Sequence, residues 1–187
     1  MSDLSLNNFK IGNQESMTLM GGVNVLESDS VVMKVAEKFA ETTARLKINW
    51  IFKGSYDKAN RSSIASYRGP GLEEGLRMLE KVKSEFDVPI VTDIHEPSQA
   101  EPVSNVSDVI QIPAFLCRQT DLVTAAANTQ RIIQFKKPQF LSAIEMKNVI
   151  EKCIQAGNKN IILCERGNSY GYNNLAVSYT HLTLPTN

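Results

Sequence analysis

Residues 88–135 read VPIVTDIHEPSQAEPVSNVSDVIQIPAFLCRQTDLVTAAANTQRIIQF, and the fold turns on this stretch. Three short apolar runs, 88–93 (VPIVTD), 108–112 (DVIQI) and 131–135 (RIIQF), carry the β-branched residues that suit strands. Between them lie a short helical segment around 97–103 and a longer one over 121–128 (DLVTAAAN). Apolar, β-branched strands separated by helices belong to a parallel sheet buried on both faces.

The same alternation extends in both directions. Upstream, 18–26 (TLMGGVNVL) reads as a first strand, with Gly21 and Gly22 marking a close backbone approach. Val31, Val32, Val35, Phe39, Thr43 and Leu46 then recur at helical spacing, behind Ser28, Asp29 and Ser30 as cap candidates. Residues 49–53 (NWIFK) form a second strand. Leu76, Leu79, Val82 and Phe86 mark the next helix, which Arg68-Gly69-Pro70-Gly71 starts as a turn. Downstream, Ser142 and Glu145 make a capping-box pattern for a helix carrying Met146, Val149, Ile150 and Ile154. Residues 160–164 (NIILC) are the sixth strand.

Six β-then-α repeats fit either a doubly wound sheet or a (β/α)8 barrel. A barrel typically takes about 250 residues. The 187 residues here therefore fit an α/β chain forming an incomplete TIM barrel, with about six of eight βα units. Residues 1–176 are expected to form this partial catalytic domain. Residues 177–187 (VSYTHLTLPTN) break the repeat and are expected to be a tail foreign to it, with no role for His181.

Composition narrows the function. Twenty Lys+Arg balance twenty Asp+Glu, so nucleic acid and anionic membrane are poor partners, and any anion site needs a local gathering of cations. Cys117, Cys153 and Cys164 make neither a disulfide framework nor a CxxC pair, and are expected to be reduced, buried thiols of a cytoplasmic protein. No run approaches the ~20 apolar residues of a membrane span, and the opening MSDLSLNNFKIGNQES lacks the apolar core of a secretion signal. HExxH, paired CxxC, DxDxDG, a serine nucleophile elbow and GxGxxG are absent. A lysine Schiff base stays open.

Position carries the functional argument. The second strand is followed by Lys53, Ser55, Lys58, Asn60 and Arg61, and the third by Asp93 and His95. The fourth has Gln111 near its end with Arg118 beyond, the fifth has Lys136 and Lys137, and the sixth has Glu165 and Arg166. In a parallel barrel these carboxyl ends meet at one mouth, where active sites lie. Several cations around such a cleft suit a multiply charged anion. Asp93 and His95, two apart in extended chain, face one ligand. The polar loop 167–174 (GNSYGYNN) either wraps a phosphate through its amides or simply connects.

Six ordered motifs resemble 3-deoxy-8-phosphooctulonate synthase: 53–63 (KGSYDKANRSS), 66–71 (SYRGPG), 92–97 (TDIHEP), 111–115 (QIPAF), 136–140 (KKPQF) and 164–167 (CERG). The resemblance covers roughly 18–176. It implies a TIM barrel, tetrameric in the family, that condenses phosphoenolpyruvate with arabinose 5-phosphate and releases phosphate, a step toward the lipopolysaccharide inner core. By the same resemblance Lys53, Ser55 and Lys58 meet the phosphoenolpyruvate carboxylate, while Lys136, Arg166 and the backbone near Ala114 hold its phosphate. Asn60, Arg61 and Ser62 take the sugar phosphate, and Asp93 and Gln111 lie along the sugar. Phe115, counted with that sugar-phosphate group, and Arg118 match positions near a subunit boundary.

Lys58, Asp93, His95 and Asn24 are the candidate catalytic positions, with Lys58 or His95 protonating the new alkoxide. Asn24, in Gly22-Val23-Asn24-Val25-Leu26-Glu27, stands where the metal-dependent kind has a Cys, so the resemblance implies a metal-independent site without cofactor. Gly54 replaces a usual Ala and is expected only to loosen the strand end. Lacking the last two strands, the chain taken alone is expected to be inactive and poorly soluble, because open strand edges are aggregation-prone. The rivals are 3-deoxy-arabino-heptulosonate 7-phosphate synthase, whose usual Lys-Pro-Arg-Thr-Ser run is missing here, and a non-catalytic phosphosugar-binding module.

Overall fold

The computed structural model describes residues 3–7, 9–171 and the backbone of 175–176. Its first element is one that periodicity did not reveal: an antiparallel hairpin of β1 (Leu4–Leu6) and β2 (Phe9–Ile11). Six strands follow, β3 (Thr18–Gly22), β4 (Asn49–Lys53), β5 (Ile90–Asp93), β6 (Val109–Ile112), β7 (Ile132–Lys136) and β8 (Ile161–Cys164). All pair in parallel, and each lies beside its predecessor, in the order β3-β4-β5-β6-β7-β8. A doubly wound sheet reverses its order at a switch point; a barrel does not. The sheet is a curled half-barrel, an incomplete TIM barrel of six strands.

The helices α1 (Asp29–Leu46), α2 (Leu72–Phe86), α3 (Ala100–Val106), α4 (Thr120–Asn128) and α5 (Met146–Gln155) fill the crossovers. Ser28 caps α1 as expected, its Oγ accepting from the Val31 amide at 3.4 Å. The Ser142–Glu145 box also forms: the Ser142 amide donates to Glu145 at 2.9 Å and the Glu145 amide to Ser142 Oγ at 3.3 Å. Both sit just ahead of α5. The sheet has two apolar faces because alternate residues point opposite ways. Phe52, Ile90, Ile110, Ile112, Ile133 and Phe135 pack with the helices. Ile51, Val91, Val109 and Ile132 form a separate inner cluster with Leu6 of the hairpin. Leu4, Phe9 and Ile11 pack against that cluster too, so the hairpin covers the amino-terminal floor of the half-barrel.

Close approaches explain several glycines. A Cβ on Gly22 would collide with the Lys53 carbonyl, and one on Gly21 would lie 2.6 Å from the Phe39 ring, as the paired glycines suggested. Gly54 is buried, with the Leu26 and Leu79 methyls 2.9 and 3.2 Å from where a Cβ would stand, so packing there is tight rather than loose. Gly71, with φ 90°, is the N-cap of α2, which bears out the turn reading of 68–71. In α2 the buried Gly75 faces Tyr56, whose Cβ a new methyl would overlap. Gly75→Ala is expected to destabilise the fold by about 2 kcal/mol in urea unfolding, because overpacking outweighs a helix-propensity gain of about 1 kcal/mol.

Cys117 and Cys153 are buried, and burial pushes the Cys153 thiol up to about 11. Cys164 is only half-buried. Among the described residues no helix is long and apolar enough to cross a membrane. The expected foreign tail, 177–187, lies outside the described residues.

Candidate active site at the carboxyl-terminal mouth

The inner face changes character along the strands. Two residues beyond Ile51 stands Lys53; two beyond Val91, Asp93; two beyond Val109, Gln111; and beyond Ile132, Gln134 and then Lys136. One step of alternation, about 6.6 Å, turns an apolar floor into a polar mouth. Register holds the row together, Asp93 beside Gln111 and Gln111 beside Gln134. Gln134 was not singled out from sequence, although its place two residues before Lys136 puts it on the same face.

Asp93 is the hub. Ser55 Oγ donates a short hydrogen bond to Asp93 Oδ1, and Lys58 Nζ donates to Ser55 Oγ at 2.9 Å. Lys53 Nζ lies 3.9 Å from Asp93 Oδ1 and 3.4 Å from Ser55 Oγ. On the other carboxylate oxygen, His95 Nε2 stands 3.4 Å away. Burial alone would raise the Asp93 carboxyl, but the His95 contact, Lys53, Ser55 and Lys58 together hold it well below the usual carboxylate range. The converse applies to the lysines. Burial pushes Lys53 down to about 8 against the pull of Asp93, with Lys58 and Lys136 adding repulsion. Lys58 is lowered by burial first, then by Lys136 and Arg61, again against Asp93. Lys136 therefore lies close enough to Lys53 and Lys58 for their charges to be felt, across β5 and β6. The predicted gathering of cations is present.

His95 is held from behind. Gln99 Oε1 accepts from the His95 amide at 2.7 Å, the Glu96 amide at 3.2 Å and the Tyr56 hydroxyl at 2.8 Å. The Tyr56 ring meets the imidazole edge-on at 6.2 Å. Gln99 and Tyr56 were missed in the sequence; the only signal was a Gln three places after Glu96, ahead of a helix. His95 Nδ1 and Gln111 Oε1 are buried and lack a hydrogen-bond partner among the described residues.

The remaining candidates lie further out. Asn24 is exposed just past β3, between Val23, whose amide donates to Lys53 O, and Leu26, whose amide donates to Ser55 O. Asn60, Arg61 and Ser62 are exposed on the loop between β4 and α2. The neck of that loop is closed by a two-pronged ion pair, Arg68 Nε donating to Asp57 Oδ1 at 2.8 Å. Arg61 Nε donates to Tyr67 O, and Tyr67 Oη to Leu26 O. Ala114 is buried in a one-turn helix beyond β6. Phe115 is exposed and contacts Phe140, not the Asp93 cluster, with ring centroids 6.2 Å apart. Arg166 is exposed two residues past β8, whose Cys164 pairs with Lys136.

Lys137 departs from expectation. It alternates to the outer face, is 3% exposed, and spends its ammonium inside the protein rather than on the rim. At Gly167 the loop beyond β8 follows the connecting alternative. The Gly167 amide donates to Glu165 Oε1 at 2.7 Å and its carbonyl accepts from Lys137 at 2.7 Å, so neither group faces a phosphate. Asn168–Ser169 forms a short strand, β9, paired with β10 (Leu175–Ala176).

Fold and mouth together define an α/β-barrel protein whose buried carboxylate organises a set of lysines fit for a multiply charged anion. The chain belongs to the DAHP synthetase I family, whose model matches residues 2–184. Among curated proteins it is 58% identical, over 95% of its length, to the 2-dehydro-3-deoxyphosphooctonate aldolase of Colwellia psychrerythraea. It is 59% and 56% identical, each over 93% of its length, to proteins of that name from Psychromonas ingrahamii and Pseudoalteromonas translucida. The chain spans 63%, 62% and 61% of those three proteins respectively.

Proposed function

We propose that the chain carries the phosphoenolpyruvate site and most of the sugar-phosphate site of a 3-deoxy-8-phosphooctulonate synthase, acting in the cytoplasm. The observation that carries this reading is the convergence of Lys53, Lys58 and Lys136 around the Ser55–Asp93 hub at one end of a parallel barrel sheet. The name shared by its relatives supports the choice of reaction.

In this reading Lys53, Ser55 and Lys58 hold the carboxylate of phosphoenolpyruvate, and Lys136, Arg166 and the Ala114 backbone hold its phosphate. Asn60, Arg61 and Ser62 on the exposed loop receive the phosphate of arabinose 5-phosphate, while Gln111, with an unsatisfied Oε1, lies along the sugar hydroxyls. Carbon 3 of phosphoenolpyruvate attacks the aldehyde as water adds to carbon 2, and phosphate leaves by carbon–oxygen cleavage. The preorganised ammonium groups offset the charge that builds on the departing phosphate. Lys58 is the better acid for the alkoxide, because its lowered affinity for protons makes it a stronger donor than an ordinary lysine, and the Ser55–Asp93–His95 chain lies behind it. The site works without a metal, since the amide of Asn24 is a weak ligand beside a thiolate. Exposed Phe115, Phe140 and Ile144 supply an apolar surface for the tetramer, through which a neighbouring chain shares the site.

Phosphate release offered phosphoenolpyruvate with arabinose 5-phosphate or erythrose 4-phosphate tests the reading, together with calorimetric titration of the 187-residue chain with phosphoenolpyruvate. Expected are tight binding of phosphoenolpyruvate and turnover, in the enzyme carrying this site, with the five-carbon sugar. Turnover with only the four-carbon sugar would move the assignment to the heptulosonate enzyme. Binding without any turnover would favour the non-catalytic module.

A further inference from the structure

Lys137 presents a physical problem that the proposed chemistry leaves unsolved: an ammonium group almost wholly removed from water. Burial of that kind persists only where the charge is paired and hydrogen-bonded. Here the Nζ donates to Pro138 O at 3.2 Å, Leu141 O at 3.1 Å, Gly167 O at 2.7 Å and Asn168 Oδ1 at 3.1 Å. It also lies 3.3 Å from Glu165 Oε1. That same Glu165 oxygen accepts from the amides of Arg166 and Gly167, at 2.8 and 2.7 Å. The Lys137 amide continues the ladder by donating to Cys164 O at 2.9 Å.

These contacts surround one residue. Arg166 sits between a carboxylate that grips its own amide and a glycine whose carbonyl is pinned by Lys137. We infer that Lys137 is a positioning residue that sets Arg166 for an incoming phosphate, by neutralising Glu165 and anchoring the backbone on either side. The inference rests on the phosphoenolpyruvate reading of the mouth and deepens it. Electrostatics separate the two lysines of the pair 136–137. Lys136 faces the mouth, where its charge is felt by Lys53 and Lys58. Lys137 cancels a negative charge that would otherwise stand beside Arg166 and repel an anion. Without Lys137 the loop beyond β8 carries Glu165 and Arg166 at no net charge; with it, the loop is cationic.

Titration of the chain with phosphoenolpyruvate, and separately with arabinose 5-phosphate, tests this. Lys137→Met is expected to weaken phosphoenolpyruvate binding about tenfold or more, with sugar-phosphate binding within about twofold of the parent. Adding Glu165→Gln to Lys137→Met should recover most of the loss, a non-additivity that a purely structural lysine would not show. Should Lys137→Met not fold, Glu165→Gln alone decides. It keeps an oxygen for the two amides and removes the negative charge beside Arg166, while the carbonyls of Pro138, Leu141 and Gly167 still hold the Lys137 ammonium, so phosphoenolpyruvate should bind several-fold tighter with a steeper salt dependence. Unchanged or weaker binding in Glu165→Gln, equal losses for both ligands in Lys137→Met, or no recovery in the double variant would each overturn the inference. Lys53→Met separates the two ideas: if it leaves phosphoenolpyruvate binding intact, the site reading fails and not merely the role of Lys137.

Discussion

Lys53→Met will weaken phosphoenolpyruvate binding by about a hundredfold or more, while leaving the chain as stable as its parent or more so. The binding loss follows from removing one member of a largely desolvated charge pair, a change of about 3 kcal/mol. The stability outcome has the opposite sign because of linkage. Burial pushes Lys53 in the folded chain down to about 8, from 10.5 for an ordinary lysine. Between those values the unfolded chain holds more protons than the folded one, so stability rises with pH through that window. The cost of keeping the ammonium buried is thus fully present below about pH 8 and is relieved by about 10.5. Methionine removes it. Binding has its own pH signature, since the anion needs the ammonium form. For the parent, affinity for phosphoenolpyruvate should fall above about pH 8, by up to about tenfold per unit, and this break should vanish in Lys53→Met. Calorimetric titration from pH 6.5 to 9.5 and urea unfolding of both chains are the measurements. A variant that loses binding and stability together would point to misfolding instead.

In the enzyme carrying this site, Asp93→Asn should cost at least about a thousandfold in kcat/KM, with a smaller effect on the overall fold. Asparagine keeps an acceptor for Ser55 and is nearly the same shape, so the strand end should survive. The charge does not survive. Lys53 and Lys58 then repel each other and Lys136 with no carboxylate between them, and both should titrate lower than in the parent. The pH at which phosphoenolpyruvate binding fails should therefore move below 8. For stability, the folded Asp93 carboxyl is held below the 3.8 of an ordinary aspartate, so its contribution is complete above that pH and disappears only as pH falls through the lower, folded value. Asp93→Asn should accordingly be less stable than the parent at pH 7, by about 3 kcal/mol, and the two should converge in strong acid. An unchanged pH profile for phosphoenolpyruvate would show that Asp93 does not govern the lysines.

Much of this architecture was legible from the chain. Strand and helix positions followed from short apolar runs and helical spacing, and the cap residues Ser28 and Ser142 were readable because their hydrogen bonds are local. The choice between barrel and doubly wound sheet came from chain length and the family motifs, since periodicity says how an element is buried but not which strand it lies beside. The hairpin over residues 4–11 escaped for a different reason: two three-residue strands are too short to establish an alternation. At the site, position after a strand picked out Lys53, Ser55, Lys58, Asp93, Gln111 and Lys136. It failed for Lys137, which looks identical to its neighbour in sequence, because one residue of register sends the two ammonium groups to opposite faces. Gln99 and Gln134 were invisible as single polar letters whose roles depend on contacts distant along the chain. Phe115 keeps its place in the proposal only through a neighbouring chain, because within this one its ring is exposed and contacts Phe140.

The hairpin beneath the half-barrel has a consequence beyond filling space. It packs Leu6 and its flanking side chains with Ile51, Val91, Val109 and Ile132. The floor of the inner face is therefore apolar, and an apolar surrounding disfavours the charged form of a buried ammonium. Two three-residue strands at the far end of the sheet thereby complete the apolar floor beneath a group whose proposed work lies at the opposite end.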